Sequence, residues 1–136
     1  MLSGTEDLSP VVGFLVSFDQ DTSGEVFELR QGRWIVSSEP TGGGNYIIVV
    51  DDSVSPLHAI LRVTESGDIQ VLDQLSEHGT RISRVNGDQE ELTGSLSEIH
   101  HGDIVSFGER TFTVCLIARR EESKNKENES KENEKE

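Results

Sequence analysis

Short apolar runs alternate with polar turn clusters from residue 11 to residue 117. VVGFLVSF (11–18) is the first run. EVFEL (25–29) alternates polar and apolar, the period of a half-buried strand. RWIVS (33–37) follows after Gln31-Gly32, so residues 25–37 read as a hairpin. YIIVV (46–50), β-branched and aromatic, predicts a buried strand. Residues 58–64, 69–73, 80–83, 104–107 and 111–117 complete the set. Between them lie turn signals: residues 19–24, the glycine-rich loop 39–45, Asn86-Gly87, His101-Gly102-Asp103 and Gly108-Glu109-Arg110. Residues 91–97 carry no strong pattern. No stretch shows a 3.6-residue helical period and no internal repeat is present. About ten short strands predict an all-β sandwich.

The ends differ from this middle. Residues 1–10 (MLSGTEDLSP) are small, polar and acidic, and read as a flexible lead. Residues 118–136 read as a disordered charged tail. From residue 119 on there is no apolar side chain to offset the entropy of ordering. One domain over residues 11–117 is therefore expected.

Charge narrows the function classes. The net charge is −14. Residues 1–118 hold six arginines and no lysine against 19 acidic residues. Nucleic acid needs a basic surface, so it is not an expected partner. An anionic membrane is disfavoured for the same reason, and no apolar run has the length of a span. No leader with a basic start and cleavage site is read, and a cytoplasmic setting is expected.

Cys115, the single cysteine, sits in an apolar run and reads as a small buried hydrophobe. His100, His101 and Asp103 do not suggest a metal, because neighbouring residues on a strand or turn point apart. No metal and no cofactor are expected. Ser55 and His58 lack a nucleophile elbow, and Gly42-Gly43-Gly44 lacks the Lys-Ser/Thr of a phosphate loop, so catalysis is not expected. Trp34 reads as packed or partly exposed. Thr5 is a candidate phosphorylation site, with an unmodified threonine as the plainer reading.

The middle of the chain is organised around two polar loops, 52–57 and 74–79, set beside the runs 58–64 and 69–73. Loops fixed by neighbouring strands carry exposed polar groups and often function. The fragments Leu29-x-x-Gly32, Val54-Ser55-x-x-His58-Ala59, Asp73-x-x-Ser76-x-x-Gly79-Thr80, Val85-Asn86-Gly87 and Leu96 through Gly102-Asp103-Ile104 to Phe107-Gly108 together resemble a forkhead-associated (FHA) domain. The resemblance spans about residues 11–117. It implies an FHA-like β-sandwich of 10–11 strands that binds phosphothreonine peptides through loops at one end.

Such a site needs an arginine for the phosphate, hydroxyl and amide donors, and an amide side chain for the peptide backbone. The family supplies a Gly-Arg pair, a Ser-Arg-x-His loop and a Ser-x-Asn-Gly-Thr loop. Here the alignment through Gly32 places Ser37-Ser38 at the Gly-Arg pair. Pro56 stands for the second arginine and His78 for the asparagine. A rival alignment takes Gly32-Arg33 as the pair. The family spacing resembles the 17 positions from Ser38 to Ser55 more than the 22 from Arg33. The candidate partner-contacting residues are Ser38, Ser55, Glu77, His78, Gly79, Thr80 and Asn86. His58, Asp73 and Ser76 are expected to hold the loops.

The resemblance therefore implies a degenerate FHA domain, a non-enzymatic interaction module. It would bind a protein or peptide, or itself, without requiring phosphothreonine. The alternative is a phosphothreonine adaptor in which Arg33, Arg81 or Arg84 replaces the lost arginine.

Overall fold

The structure, a computed structural model, describes residues 9–118. The expected lead over residues 1–8, with Thr5, and the tail from residue 119 on lie outside the described residues. Eleven strands and no helix are present among the described residues. They are β1 (Val11–Ser17), β2 (Glu25–Arg30), β3 (Gly32–Ser37), β4 (Asn45–Ile48), β5 (Ala59–Val63) and β6 (Ile69–Asp73). Then come β7 (Thr80–Ser83), β8 (Gln89–Leu92), β9 (Leu96–Ile99), β10 (Ile104–Phe107) and β11 (Arg110–Leu116).

Two sheets form a sandwich. One has five strands in the order β9-β6-β5-β3-β4, the other six in the order β2-β1-β11-β10-β7-β8. All pairings are antiparallel except β3 with β4. Alternation explains the core. On β5, Ala59, Leu61 and Val63 point inward and are buried. Leu15, Leu29, Ile82, Val105, Phe107, Phe112 and Val114 meet them from the other sheet. Each fully buried leucine or phenylalanine contributes about 1.5–3 kcal/mol of transfer free energy.

Four expectations are corrected. Residues 25–37 are not a hairpin: β2 pairs with β1, whereas β3 pairs with β4 and β5 in the other sheet. The Gln31-Gly32 step, with Gly32 at φ 136°, passes the chain between layers instead of reversing it within one. Residues 91–97, read as patternless, contribute to two strands, β8 and β9. Each is an edge strand with one buried anchor, Leu92 or Ile99, too little to show a period. The strand expected at 46–50 as buried is instead a half-buried edge strand over Asn45–Ile48. Cys115 lies on β11 as expected but is partly exposed.

Candidate functional site

Six connections lie at one end of the sandwich: β1–β2 (18–24), β3–β4 (38–44), β4–β5 (49–58), β6–β7 (74–79), β8–β9 (93–95) and the β10–β11 turn at Gly108-Glu109. Hydrogen bonds stitch them together. The Ser38 amide donates to the Ser55 carbonyl (3.4 Å), and the Leu57 amide donates to Ser37 Oγ (3.1 Å). The Glu77 amide donates to Ser55 Oγ (3.1 Å). Glu109 N donates to Ser53 Oγ (2.8 Å), and Gly108 N to the Gly79 carbonyl (2.9 Å). Gly108 has φ 63°, and a Cβ there would stand 2.2 Å from the Ser53 carbonyl, so this crossing admits only glycine.

His58 is fully buried and joins two loops. Its Nδ1 accepts from the Ser55 amide at 3.0 Å. Nε2 therefore carries the proton and donates to the Gly79 carbonyl at 2.9 Å. The ring packs edge-on to Phe107, with centroids 5.8 Å apart. Burial pushes the imidazole pKa down, partly opposed by the Gly79 bond and by Asp73. A neutral ring is the form these two bonds require. Ser55 Oγ does not bond this ring, so the two side chains do not form a nucleophile–base pair.

Asp73 is the second brace, 2% exposed. Oδ1 accepts from Ser76 Oγ (2.7 Å) and Thr80 Oγ1 (2.7 Å). Oδ2 accepts from the amides of Ser76 (3.3 Å) and Gly94 (3.0 Å). Ser76 Oγ in turn accepts from the Gly79 amide (3.0 Å). Burial alone would raise the carboxyl pKa, but the donors from Thr80, Ser76 and Gly94 outweigh it, and the net shift is downward. Thr80 is thereby turned inward and buried.

The exposed surface of this end is acidic. Asp51, Asp52, Ser53, His78 and Glu109 line a notch of about 320 Å³, with Glu39 and Glu77 exposed on the adjoining loops. No arginine or lysine lies on loops 38–44, 49–58 or 74–79. Ser38, Ser55, Glu77, His78, Gly79 and Thr80 are thus brought together. Asn86 is not. It lies in the β7–β8 turn at the opposite end, where its side chain bonds Asp88.

The three arginines considered as substitutes also lie elsewhere. Arg33 is on β3, opposite Arg62 of β5 and five residues before the loop begins at Ser38. Arg81 points away from the core, between the buried Thr80 and Ile82, and pairs with Glu91 at 3.7 Å. Arg84 follows β7 at the far end. It bonds Glu90 (2.6 Å), Asp103 (2.8 Å), Ser97 (2.9 Å) and the Glu98 carbonyl (2.8 Å). His100 and His101 neighbour that network, and among the described residues no three His, Cys, Asp or Glu side chains form a metal-binding group.

Sequence reasoning missed three residues of this end. Arg110 is 3% exposed and bonds Asp19 and Glu25. That pairing raises its own pKa, with burial opposing. The same bond helps overcome the burial that would raise Asp19, which falls well below the usual carboxylate range. Ser37 and Ser53 are buried hubs. Ser53 had a readable signal: Asp51 two residues earlier accepts from its amide and hydroxyl (3.0 and 2.6 Å), the spacing of an Asx turn.

A two-sheet sandwich with recognition-type loops gathered at one end defines the class, a loop-presenting β-sandwich module. The chain belongs to the FHA domain family, whose model matches residues 30–108. FHA domains are non-enzymatic protein-interaction modules, often phosphopeptide-binding. Among solved structures it is similar to the FHA domain of CT664 protein from Chlamydia trachomatis. Identity is 24% over 78% of this chain and 99% of that one, with a TM-score of 0.63. It is also similar to the FHA domain of human APLF in complex with an XRCC1 bisphospho peptide (21%, 77% and 99%, TM-score 0.58). A third is the FhaA FHA domain complexed with the intracellular domain of Rv3910 (22%, 76% and 98%, TM-score 0.56). These likenesses speak for the fold. No curated protein sequence matches the chain.

Proposed function

We propose that this chain is a non-catalytic protein-interaction module, acting in the cytoplasm, whose loop end no longer requires phosphothreonine. One observation carries the reading: the loops keep their internal bracing but have no cationic side chain with which to grip a phosphate. Ser38 and Pro56 occupy the positions where the family resemblance expects arginine. Arg110, the arginine nearest the β10–β11 turn, is buried against Asp19 and Glu25. Glu77, Asp51, Asp52 and Glu109 would repel a phosphate dianion approaching this end. A hydrogen bond to a charged group is worth roughly 1.5–3 kcal/mol, so the loss of two such donors lowers affinity by about a hundredfold or more.

The test is a titration of the full chain with a degenerate phosphothreonine peptide library and its unphosphorylated counterpart. The expected result is no difference between the two. Micromolar binding that depends on the phosphate would overturn the reading and point to the adaptor alternative.

A further inference from the structure

The outward face of the five-stranded sheet carries a row of apolar side chains that crosses every strand. The register pairs Tyr46 with Ile35, Ile35 with Ile60, Ile60 with Leu72, and Leu72 with Leu96. These residues alternate with the inward-facing Val36, Ile47, Leu61 and Val71, so they stand on the other side of the sheet from the core. At about 4.8 Å per strand the row is roughly 19 Å long. Ile35 is 7% exposed, covered beside Gly44, and the Tyr46 hydroxyl accepts from the Thr41 amide, so the open part of the row is Ile60, Leu72 and Leu96, the last 55% exposed. The antiparallel part of such a sheet, here β3, β5, β6 and β9, with one face on a core normally turns polar side chains to the other. Three apolar side chains in line there, from Ile60 to Leu96, have the character of a contact surface.

The next row on the same face decides what covers it. Arg33 of β3 lies directly opposite Arg62 of β5, and both are exposed. The other four arginines among the described residues each meet a carboxylate: Arg30 with Glu28, Arg81 with Glu91, Arg84 with Glu90 and Asp103, Arg110 with Asp19 and Glu25. Beyond the backbone ladder, the Arg33 and Arg62 side chains make no ion pair or hydrogen bond with any described residue. Like charges directly opposite across two strands destabilise the sheet. In a domain so rich in carboxylates, two neighbouring arginines left uncompensated beside an apolar row have the chemistry of an interface.

We infer that this sheet face binds a protein segment that presents apolar side chains flanked by carboxylates. This names the surface and partner chemistry for the interaction module proposed above and rests on that reading. A second copy of the chain fits less well, since it brings the same uncompensated arginines and a net charge of −14. An anionic membrane fits less well too, because two arginines stand against that same net charge.

The test uses the full chain and 16-residue peptides that alternate Leu or Ile with Glu, matched against the same peptides with Lys in place of Glu. Calorimetric titration should show the Glu peptides binding at least about tenfold more tightly than the Lys peptides. The double variant Arg33→Glu/Arg62→Glu should reverse the preference. Leu72→Ser should weaken the Glu peptide without altering the sign of that preference. The inference is overturned if neither peptide binds, if both bind alike, or if the double variant leaves the preference unchanged. It is equally overturned if the face is instead consumed by a dimer that the double variant dissolves in sedimentation, or if it binds phosphatidylserine vesicles and not the peptides. Phosphate-dependent binding of the threonine library alongside an intact Glu preference would sink the loop-end reading and leave this surface standing.

Discussion

The loop end and the sheet face are built on opposite terms. At the loop end the buried polar groups that brace the loops have partners within the molecule: His58 spans two loops, Asp73 takes four donors, and Ser53 ties β4–β5 to the β10–β11 turn. The scaffold of a recognition site is present there without the cations that would give it a charged ligand. On the sheet face the reverse holds. The Arg33 and Arg62 guanidinium groups have no carboxylate partner among the described residues, and Ile60, Leu72 and Leu96 are left partly or mostly open. The contrast suggests a division of labour, with polar groups at the loop end serving the fold and those on the sheet face left over for a partner.

The strongest way to break that contrast is to remove a loop-end brace. Asp73→Ala leaves the Ser76 and Thr80 hydroxyls and the Ser76 and Gly94 amides short of an acceptor in a buried place. Each unsatisfied donor costs about 1–3 kcal/mol, part of which water entering from the exposed side will recover, so a loss of about 3 kcal/mol is expected. A urea-denaturation midpoint reads it. A change below about 1 kcal/mol would mean that Asp73 serves binding and not the fold, and the contrast would fail.

A gentler probe is pH. His58 is held neutral in the folded state and has its ordinary affinity for protons when unfolded, so its folded pKa lies below the unfolded value of about 6.5. Below that value the unfolded chain takes up a proton that the folded chain refuses. Stability contributed by the neutral ring is therefore complete above about pH 6.5 and is lost as pH falls from there toward the folded pKa. His58→Gln should lower stability at pH 7.5 and flatten the decline between pH 7 and pH 5. Thermal melts across that range check it. An unchanged slope would mean that the neutral His58 ring does not set the decline.

These two regions were unequally legible in the sequence. The loop-end braces lie close together along the chain: Asp73, Ser76, Gly79 and Thr80 fall within one turn, and His58 follows Ser55 by three residues. Local spacing carried them, and it also carried the strands with a regularly buried face, such as Ala59–Val63 and Ile69–Asp73. The apolar row is different. Its five members come from five strands and meet only through pairings that the sequence does not display. Its trace was visible but ambiguous, because RWIVS and YIIVV are apolar on both faces, which reads as deep burial. The same non-locality hid the step between sheets at Gln31-Gly32 and the bond from Arg110 to Asp19 across 91 residues.

The smallest effect separates the two regions most sharply, because its sign is opposite. Replacing Arg62 by Glu places a carboxylate directly across from Arg33 in the β3–β5 register. A like-charge pair becomes an opposite-charge pair, and such cross-strand pairs are worth about 0.2–1 kcal/mol. Both side chains are exposed, so solvent screening holds the gain to the low end of that range and salt reduces it further. Arg62→Glu is therefore expected to stabilise the free domain slightly at low ionic strength while weakening its hold on a Glu-bearing apolar peptide. A residue kept for the fold loses stability when it is replaced. One kept for a partner gains stability and loses binding. If Arg62→Glu destabilised the domain in low-salt melts, the guanidinium would have a structural role on the sheet face, and the claim that its charge is reserved for a partner would fall with it.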